Sequence, residues 1–182
     1  MIQVGQPAPD FTLEGVRDGE FVSVTLSEQL GSWVVLFFYP LDFTFVCPTE
    51  IRGFAQRRDE FEALGTKVFA ASVDSKYSHL AWCEHDLGAL GFPLLSDLTR
   101  DVARSYGVLL PDEGHTLRGT FIIDPDGILR WMVVSDNSVG RSVTETVRAL
   151  KALQTGNLCP VEWEPGESFV GATKKGAVTK KR

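Results

Sequence analysis

The sequence predicts an α/β fold in which a central mixed sheet is flanked by helices, and three observations lead to this class. Apolar runs at residues 33–39 and 67–73 show no alternation, which is typical of strands buried on both faces. Segments with helical spacing follow each of these runs. Late in the chain, Asp-Pro-Asp-Gly at residues 124–127 joins two strand-like segments, 120–123 and 128–134, as a hairpin. Alternating strands and helices together with a hairpin predict a mixed sheet with helices on both faces.

The predicted helices are bounded by residues that start or stop helical backbone. Apolar residues recur at helical spacing over residues 51–64, which predicts a single helix that ends at Gly65. Ser75 is the predicted cap of a second helix that runs through Trp82 and beyond. The remaining predicted elements are a short strand near residues 93–95, a helix near 100–106, and a last helix that Ser142 opens, with Glu145 as capping-box partner, and that Gly156 ends.

The chain is predicted to hold one domain, residues 1–156, and an extended C-terminal arm, residues 157–182. Its 182 residues suit one domain of ordinary size. Beyond residue 156 prolines appear, followed by glycines and lysines, and we interpret the end of the arm as a disordered basic tail. Five of the last nine residues are cationic and could touch an anionic partner, but a solvated tail is the favoured interpretation.

Composition excludes several classes of function. The formal net charge of −6 argues against a nucleic-acid platform. No apolar run approaches the roughly 20 residues that span a bilayer, so no membrane association is expected. The first ten residues offer no basic stretch followed by an apolar signal region, and the expected location is the cytoplasm.

The cysteines and histidines indicate neither a disulfide scaffold nor a metal site. Three cysteines are too few for a scaffold, and the sequence contains no Cys-x-x-Cys, so neither a zinc ribbon nor a thioredoxin-type dithiol is predicted. The three histidines, His79, His85 and His115, have no ligand spacing and are interpreted as buried or solvated imidazoles. We therefore expect no metal and no cofactor.

Cys47 stands where a buried strand gives way to a helix. Pro48 supports a helix start, since proline is tolerated in the first turn. Free N–H groups and the positive end of the helix dipole favour an anion there, and the thiolate is the nucleophilic form of cysteine. Thr44 could place a hydroxyl beside the sulfur, and Pro40 could shield it from water. A buried, inert cysteine is the alternative.

The residues around Cys47 resemble the active-site signature of peroxiredoxins. Residues 43–50 read Phe-Thr-Phe-Val-Cys-Pro-Thr-Glu, and Pro40, Thr44 and Cys47 match the pattern Pro-x-x-x-Thr-x-x-Cys. The longer string resembles the alkyl hydroperoxide reductase subgroup, whose members are typical two-cysteine enzymes. The resemblance implies a thioredoxin-like fold and a thiol peroxidase acting on hydrogen peroxide and organic hydroperoxides. It extends over nearly the whole chain through residues 5–11, 79–82, 118–124, 139–142 and 159–163.

The resemblance also implies roles for single residues. Cys47 corresponds to the peroxidatic cysteine, which attacks the hydroperoxide and becomes a sulfenic acid. Thr44 would hydrogen-bond the peroxide, and Arg118 would donate to the thiolate and to the peroxide oxygens. For Arg118 an exposed charge at a strand end is the less favoured alternative.

Two charged residues and one aromatic residue complete the implied site. Glu50 and Arg141 resemble a pair that orients the catalytic groups. Trp82 is expected to pack against the pocket, with a core role at least as favoured as a catalytic one.

The resemblance assigns Cys159, in the C-terminal arm, as the resolving cysteine. In this subgroup it comes from the partner subunit, which implies a homodimer, often assembled as five dimers in a ring. A thioredoxin, a glutaredoxin or a dedicated disulfide reductase would then reduce the Cys47–Cys159 bridge. Cys83 matches no catalytic position; a partly buried helical thiol is expected, and a disulfide role is the less favoured alternative.

The sequence departs from the peroxide-sensitive members of the family at two places. Those members carry a Gly-Gly-Leu-Gly loop and a C-terminal Tyr-Phe helix. Here residues 88–91 read Gly-Ala-Leu-Gly, and no Tyr-Phe follows Cys159. We therefore predict that Cys47 resists over-oxidation to sulfinic acid.

Three other functions are alternatives to the peroxidase. A redox-regulated chaperone or scaffold ring is the main alternative, because ring-forming members can also play such a role. A disulfide reductase is disfavoured by the missing Cys-x-x-Cys. A cysteine hydrolase is weaker still, since no histidine–acid pair is evident near the nucleophile.

Overall fold

The computed structural model describes residues 2–171, and the chain divides into two compact units. The first unit spans Met1–Val143 and the second spans Thr144–Arg182. The predicted division at residue 156 stays a prediction. The predicted disordered tail at the end of the chain lies outside the described residues.

The first unit is built on a mixed sheet. Its strands are β1 (Thr12–Arg17), β2 (Glu20–Thr25), β3 (Trp33–Phe38), β4 (Thr66–Ser72), β5 (Leu94–Ser96), β6 (Leu109–Leu110), β7 (His115–Thr116), β8 (Arg118–Ile123) and β9 (Leu129–Ser135). Seven of them pair in the order β2-β1-β5-β4-β3-β8-β9, while β6 and β7 form a separate ladder. Strand β4 is parallel to β3 and to β5, and the other pairs in the large sheet are antiparallel. The predicted mixed sheet is confirmed.

The helices lie between and after these strands. Those of the first unit are α1 (Cys47–Gln56), α2 (Arg58–Ala63), α3 (Lys76–Trp82) and α4 (Asp101–Ser105), and α5 (Val143–Gln154) belongs to the second unit except for its first residue. As predicted, Ser75 caps α3, its hydroxyl accepting a 3.2 Å hydrogen bond from the Ser78 amide. Helix α3 continues into a π-helical turn, Cys83–Leu87.

Strand β3 is covered by helices on both faces. Phe38 points into the core cluster that also contains Leu36, and its ring lies 5.5 Å from that of Tyr106 at the end of α4. Neighbouring side chains of a strand point to opposite faces. Accordingly Phe37 stacks on Phe54 of α1, with ring centroids 4.1 Å apart. The apolar run at residues 33–39 therefore lacks alternation because β3 is buried on both faces, as predicted.

The single helix predicted over residues 51–64 is wrong, because the structure contains two helices there. Arg57 separates α1 from α2 and leaves helical geometry, with φ −106° and ψ 13°. Residues seven apart along a straight helix are separated by about 10 Å, yet the rings of Phe54 and Phe61 lie 5.9 Å apart. The break thus lets both aromatic rings enter the same buried layer, and Gly65 follows with φ +61°.

An N-terminal hairpin was missed by the sequence analysis. Strands β1 and β2 pair with Arg17 opposite Glu20, which leaves Asp18 and Gly19 as a two-residue loop. Both loop residues have positive φ, 50° and 88°, as a type I′ turn requires. The Asp-Gly dipeptide is the sequence signal that could have revealed this hairpin.

The second unit consists of most of α5 and the segment after it. As predicted, Ser142 immediately precedes α5, and Gly156, with φ +65°, follows its end. Beyond the helix, Trp163 is buried and stacks on Phe169 with ring centroids 5.7 Å apart. In the described range, no helix is long and apolar enough to cross a membrane.

Candidate active site

Cys47 is the first residue of α1 and is completely buried, with 0% of its surface exposed. The preceding residue, Val46, accepts the first hydrogen bonds of the helix, from the amides of Thr49 at 3.0 Å and Glu50 at 3.3 Å. Pro48, the second residue of α1, has no amide hydrogen to satisfy. The predicted helix start at Cys47 is therefore confirmed.

Arg118 reaches the Cys47 sulfur from the sheet. It is the first residue of β8, whose antiparallel pairing with β3 brings Thr120 opposite Phe37 and so sets Arg118 beside the end of β3. The Nη1 atom of Arg118 lies 3.4 Å from the Sγ atom of Cys47. Arg118 is only 3% exposed, which excludes the alternative of an exposed charge at a strand end. A permanent cation beside the sulfur attracts the thiolate form.

Glu50 holds Arg118 in place. The same Nη1 atom of Arg118 donates a 2.6 Å hydrogen bond to Oε2 of Glu50, one turn of α1 after Cys47. Arg141 donates to the same carboxylate from its backbone amide at 2.8 Å, from Nε at 2.9 Å and from Nη2 at 2.8 Å. The structure thus brings together the pair that the resemblance implied.

The charges around Glu50 keep it ionised. Burial alone raises the pKa of the Glu50 carboxyl, but the hydrogen bonds and positive charge of Arg141, together with the charge of Arg118, outweigh burial and lower the pKa below its usual value. Arg141 is itself fixed by a 2.8 Å hydrogen bond to the carbonyl of Gly119 and lies 5.0 Å from the centre of the Phe37 ring. The site is therefore a buried network of two arginines, one carboxylate and one thiol.

Arg118 also donates to the backbone carbonyl of Asn137, a contact that the sequence analysis missed. The carbonyl oxygen of Asn137 accepts hydrogen bonds from Nε of Arg118 at 3.0 Å and from Nη2 at 2.9 Å. Asn137 lies in the turn after β9. No side-chain identity encodes such a carbonyl, and its only sequence signal is that Asn137 lies two residues before the matching string at residues 139–142.

Pro40 and Thr44 lie in the loop that joins β3 to α1. Pro40 is buried, and Thr44 is half-buried. The Thr44 hydroxyl donates a 3.0 Å hydrogen bond to the carbonyl of Leu41 within the same loop. Both residues thus belong to the segment that leads directly into Cys47.

A buried polar network anchors this loop and was also missed. The carboxylate of Asp42 accepts hydrogen bonds from the Tyr39 hydroxyl at 2.9 Å and the Ser78 hydroxyl at 2.7 Å, and it lies 2.8 Å from Nδ1 of His79. Burial and the negative charge of Asp42 raise the pKa of Tyr39 well above its usual value. His79 is therefore a buried structural imidazole, one of the two interpretations given to it above.

Trp82 packs against the same loop. It is 1% exposed, and its ring lies 6.0 Å from that of Tyr39 and 5.6 Å from that of Phe43. Its indole N–H donates to the carboxylate of Asp86 at 3.3 Å. These contacts give Trp82 a packing role against the loop that leads into Cys47.

The two other cysteines differ in their surroundings. In the second unit, Cys159 is half-buried, with its thiol 3.8 Å from the carbonyl oxygen of Ala152 and 3.6 Å from the hydroxyl of Thr155. In the first unit, Cys83 is buried at the end of α3. Burial, together with the negative charge of Asp42, raises the pKa of Cys83 to about 11. Within residues 2–171 no group of three or more His, Cys, Asp or Glu side chains could hold a metal ion.

The structure sets the buried Cys47 at a helix start and places Arg118 beside its sulfur, which is the arrangement that the resemblance to peroxiredoxins implied. The AhpC/TSA family model matches residues 4–132. The 2-Cys peroxiredoxin BAS1 of Hordeum vulgare is 48% identical over 96% of this chain and 88% of its own length. The mitochondrial thioredoxin-dependent peroxide reductase of Drosophila melanogaster is 51% identical over 92% of this chain and 75% of its own length.

A solved structure agrees with these relatives. The reduced 2-Cys peroxiredoxin of Plasmodium vivax superposes with a TM-score of 0.90 at 38% identity and covers 93% of both chains. The chain belongs to the AhpC/TSA family as a typical two-cysteine peroxiredoxin, and its activity is that of a thiol peroxidase. The chaperone or scaffold alternative is not favoured, because the relatives are named as peroxiredoxins and peroxide reductases.

Proposed function

We propose that Cys47 is the peroxidatic cysteine of this enzyme. The Cys47 thiolate attacks one oxygen of the hydroperoxide, so that an S–O bond forms as the O–O bond breaks. Cys47 becomes a sulfenic acid, and the departing oxygen takes a proton and leaves as water or an alcohol. The observation that carries this proposal is the 3.4 Å contact between Nη1 of Arg118 and the buried Cys47 sulfur.

In this mechanism Arg118 stabilises the negative charge of the transition state. Negative charge moves from sulfur to the leaving oxygen as the O–O bond lengthens, and a fixed guanidinium stabilises that charge without reorganising. Thr44, in the loop before the helix, hydrogen-bonds the bound peroxide, and buried Pro40 keeps water from the sulfur. Glu50 and Arg141 act through Arg118 and orient it.

We propose that Cys159 resolves the sulfenic acid. The Cys159 thiolate attacks the Cys47 sulfur, an S–S bond forms as the S–O bond breaks, and the leaving hydroxide takes a proton and departs as water. Because Cys47 is fully buried, the first turn of α1 must open before another sulfur can approach it. In this proposal Cys159 belongs to the partner subunit, which makes the homodimer the functional unit.

The assembly and the reductant are further parts of the proposal. Strand β9 is an edge of the sheet with Val133 and Val134 each 37% exposed, which supports pairing of two subunits there. A decameric ring of five dimers follows from the resemblance. A thioredoxin-type dithiol reduces the bridge by thiol exchange, and the Drosophila melanogaster relative, a thioredoxin-dependent peroxide reductase by name, supports this.

The decisive experiment is a non-reducing gel after one equivalent of hydrogen peroxide. Wild type and Cys83→Ser should run as a disulfide-linked dimer, and Cys159→Ser should run as a monomer. A monomer in all three samples would mean that resolution occurs within one chain or through an outside thiol. Consumption of peroxide with reduced thioredoxin as electron donor, compared with a glutaredoxin, then identifies the reductant class.

A further inference from the structure

The guanidinium of Arg118 is held on two edges. Its Nη1 atom contacts the Cys47 sulfur and Oε2 of Glu50. Its Nε and Nη2 atoms both donate to the carbonyl oxygen of Asn137, at 3.0 and 2.9 Å. Glu50 alone would leave the guanidinium free to pivot about Nη1. The Asn137 carbonyl fixes the opposite edge, and so it sets the direction in which Nη1 points.

The position of that carbonyl depends on a short exposed turn. The amide of Val139 donates a 3.1 Å hydrogen bond to the carbonyl of Asp136, which closes the turn over residues 136–139. Oδ1 of Asp136 accepts hydrogen bonds from the amide of Ser138 at 2.8 Å and from its hydroxyl at 2.6 Å. A carboxylate that binds the backbone two residues ahead is the standard way in which Asp stabilises a turn. The peptide carbonyl of Asn137 lies inside this turn.

The charge of Asp136 is consistent with this arrangement. Its side chain is exposed, and the hydrogen bonds from Ser138, together with the positive charge of Arg118, lower the pKa of the Asp136 carboxyl. The carboxylate is therefore ionised at neutral pH. Since the turn lies at the surface, the hydrogen bonds between Asp136 and Ser138 hold its shape. Substitution can remove these bonds without disturbing the buried core.

We propose that Asp136 is a positioning residue for the peroxidase reaction. By fixing the turn over residues 136–139, it holds the Asn137 carbonyl against Nε and Nη2 of Arg118 and thereby aims Nη1 at the Cys47 sulfur. This inference rests on the role of Arg118 given under the proposed function. Without the Asp136 carboxylate the turn samples other shapes, and Arg118 loses one of its two anchors.

The test measures Cys47 oxidation rather than stability. The variants are Asp136→Ala, Asp136→Asn, Ser138→Ala and Arg118→Ala, with Asp112→Ala as a matched control in the exposed β6–β7 turn. The second-order rate constant with hydrogen peroxide is measured by rapid quenching and mass spectrometry. The pH profile of Cys47 alkylation is recorded for each variant, since a purely structural role would leave that profile in place.

We expect Asp136→Ala to react roughly tenfold more slowly than wild type, since small displacements of a positioning group cost one to two orders of magnitude. Its alkylation profile should differ from that of wild type, whereas the profile of Asp112→Ala should not. Asp136→Asn should stay within about twofold of wild type because its amide oxygen accepts the same two hydrogen bonds. Ser138→Ala, which keeps the amide donor, should be about threefold slower.

Two results would overturn the inference. One is an Asp136→Ala variant that matches Asp112→Ala in both rate and pH profile, or, if Asp136→Ala does not fold, a Ser138→Ala variant that does so. The other is an Asp136→Asn variant as slow as Asp136→Ala, which would assign the effect to charge instead of turn geometry. An Arg118→Ala variant as fast as wild type would instead refute the proposed role of Arg118, so the two failures are distinguishable.

Discussion

Arg141 donates three hydrogen bonds to the buried carboxylate of Glu50, from its backbone amide, Nε and Nη2. Both side chains are only 2% exposed. The bidentate geometry leaves Oε2 of Glu50 able to accept Nη1 of Arg118 as well. Glu50 is thus an anion between two buried cations, and removing its charge should affect both stability and rate.

The first prediction concerns Glu50→Gln. Breaking a buried ion pair on one side leaves uncompensated charge, so the free energy of unfolding should fall by about 3 kcal/mol. The rate with peroxide should fall as well, because Arg118 loses its anchor. Urea unfolding and peroxide kinetics measure the two effects, with exposed Glu28→Gln as control. A Glu50→Gln variant as stable as wild type would contradict the claim that the ion pairs of Glu50 stabilise the fold.

The second prediction concerns how the contribution of Glu50 to the free energy of unfolding depends on pH. The pKa of folded Glu50 is lower than its usual value of 4.5, so Glu50 stabilises the fold fully above that value and loses this contribution as the pH falls through the folded pKa. Glu50→Gln should therefore lose less stability in acid than wild type does. Unfolding curves between pH 3 and 7 test the sign, and parallel losses in both proteins would refute it.

The third prediction concerns the network that anchors the loop before Cys47. His79→Ala leaves the buried Asp42 carboxylate without one partner, which should cost about 1–3 kcal/mol of unfolding free energy. The loop that carries Pro40 and Thr44 should loosen, and peroxide should react more slowly. The matched control is exposed His85→Ala. Equal stability of the two variants would show that the network is dispensable.

The fourth prediction concerns the reactivity of Cys83. Its pKa of about 11 keeps the thiol protonated at neutral pH, and its side chain is buried. In native protein, iodoacetamide at pH 8 should leave Cys83 unmodified while it labels the half-buried Cys159. Peptide mass spectrometry measures both sites. Equal labelling of the two thiols in folded protein would contradict the assigned burial.

The fifth prediction is resistance of Cys47 to over-oxidation. It follows from Gly-Ala-Leu-Gly at residues 88–91, where the peroxide-sensitive members carry Gly-Gly-Leu-Gly. Mass spectrometry during peroxide turnover should find little sulfinic acid at Cys47 in wild type and more in Cys159→Ser, which cannot resolve. Inactivation at micromolar peroxide, as in sensitive peroxiredoxins, would contradict the prediction.

Much of the fold was predictable because it follows from hydrophobic pattern. The unalternating run at residues 33–39 indicated a strand buried on both faces, and the Asp-Gly turn before β9 indicated a hairpin. The first hairpin was missed because β1 contains Gly15 and Val16 in succession, so its alternation is weak. The break at Arg57 was missed because no proline or glycine stands at residues 54–60 to mark it.

The candidate site was predictable only where side-chain identity carries the chemistry. Cys47, Arg118, Glu50 and Arg141 are recognisable as residue types in matching strings. The Asn137 carbonyl is not, since every residue has one. The contact between Asp42 and His79 joins side chains 37 positions apart, and only the tertiary fold reveals it.

The complete burial of the Cys47 sulfur makes the closed site a size filter. In the proposed reaction, a small hydroperoxide needs less opening of the site to reach this sulfur than a protein thiol does. In the proposed cycle, oxidation and resolution take place in different conformations, and the ratio of their rates depends on how often the site opens. The rate at which a bulky thiol reagent modifies Cys47 should accordingly depend on the fraction of open molecules. The rate of reaction with a small peroxide should depend on the fraction of closed ones.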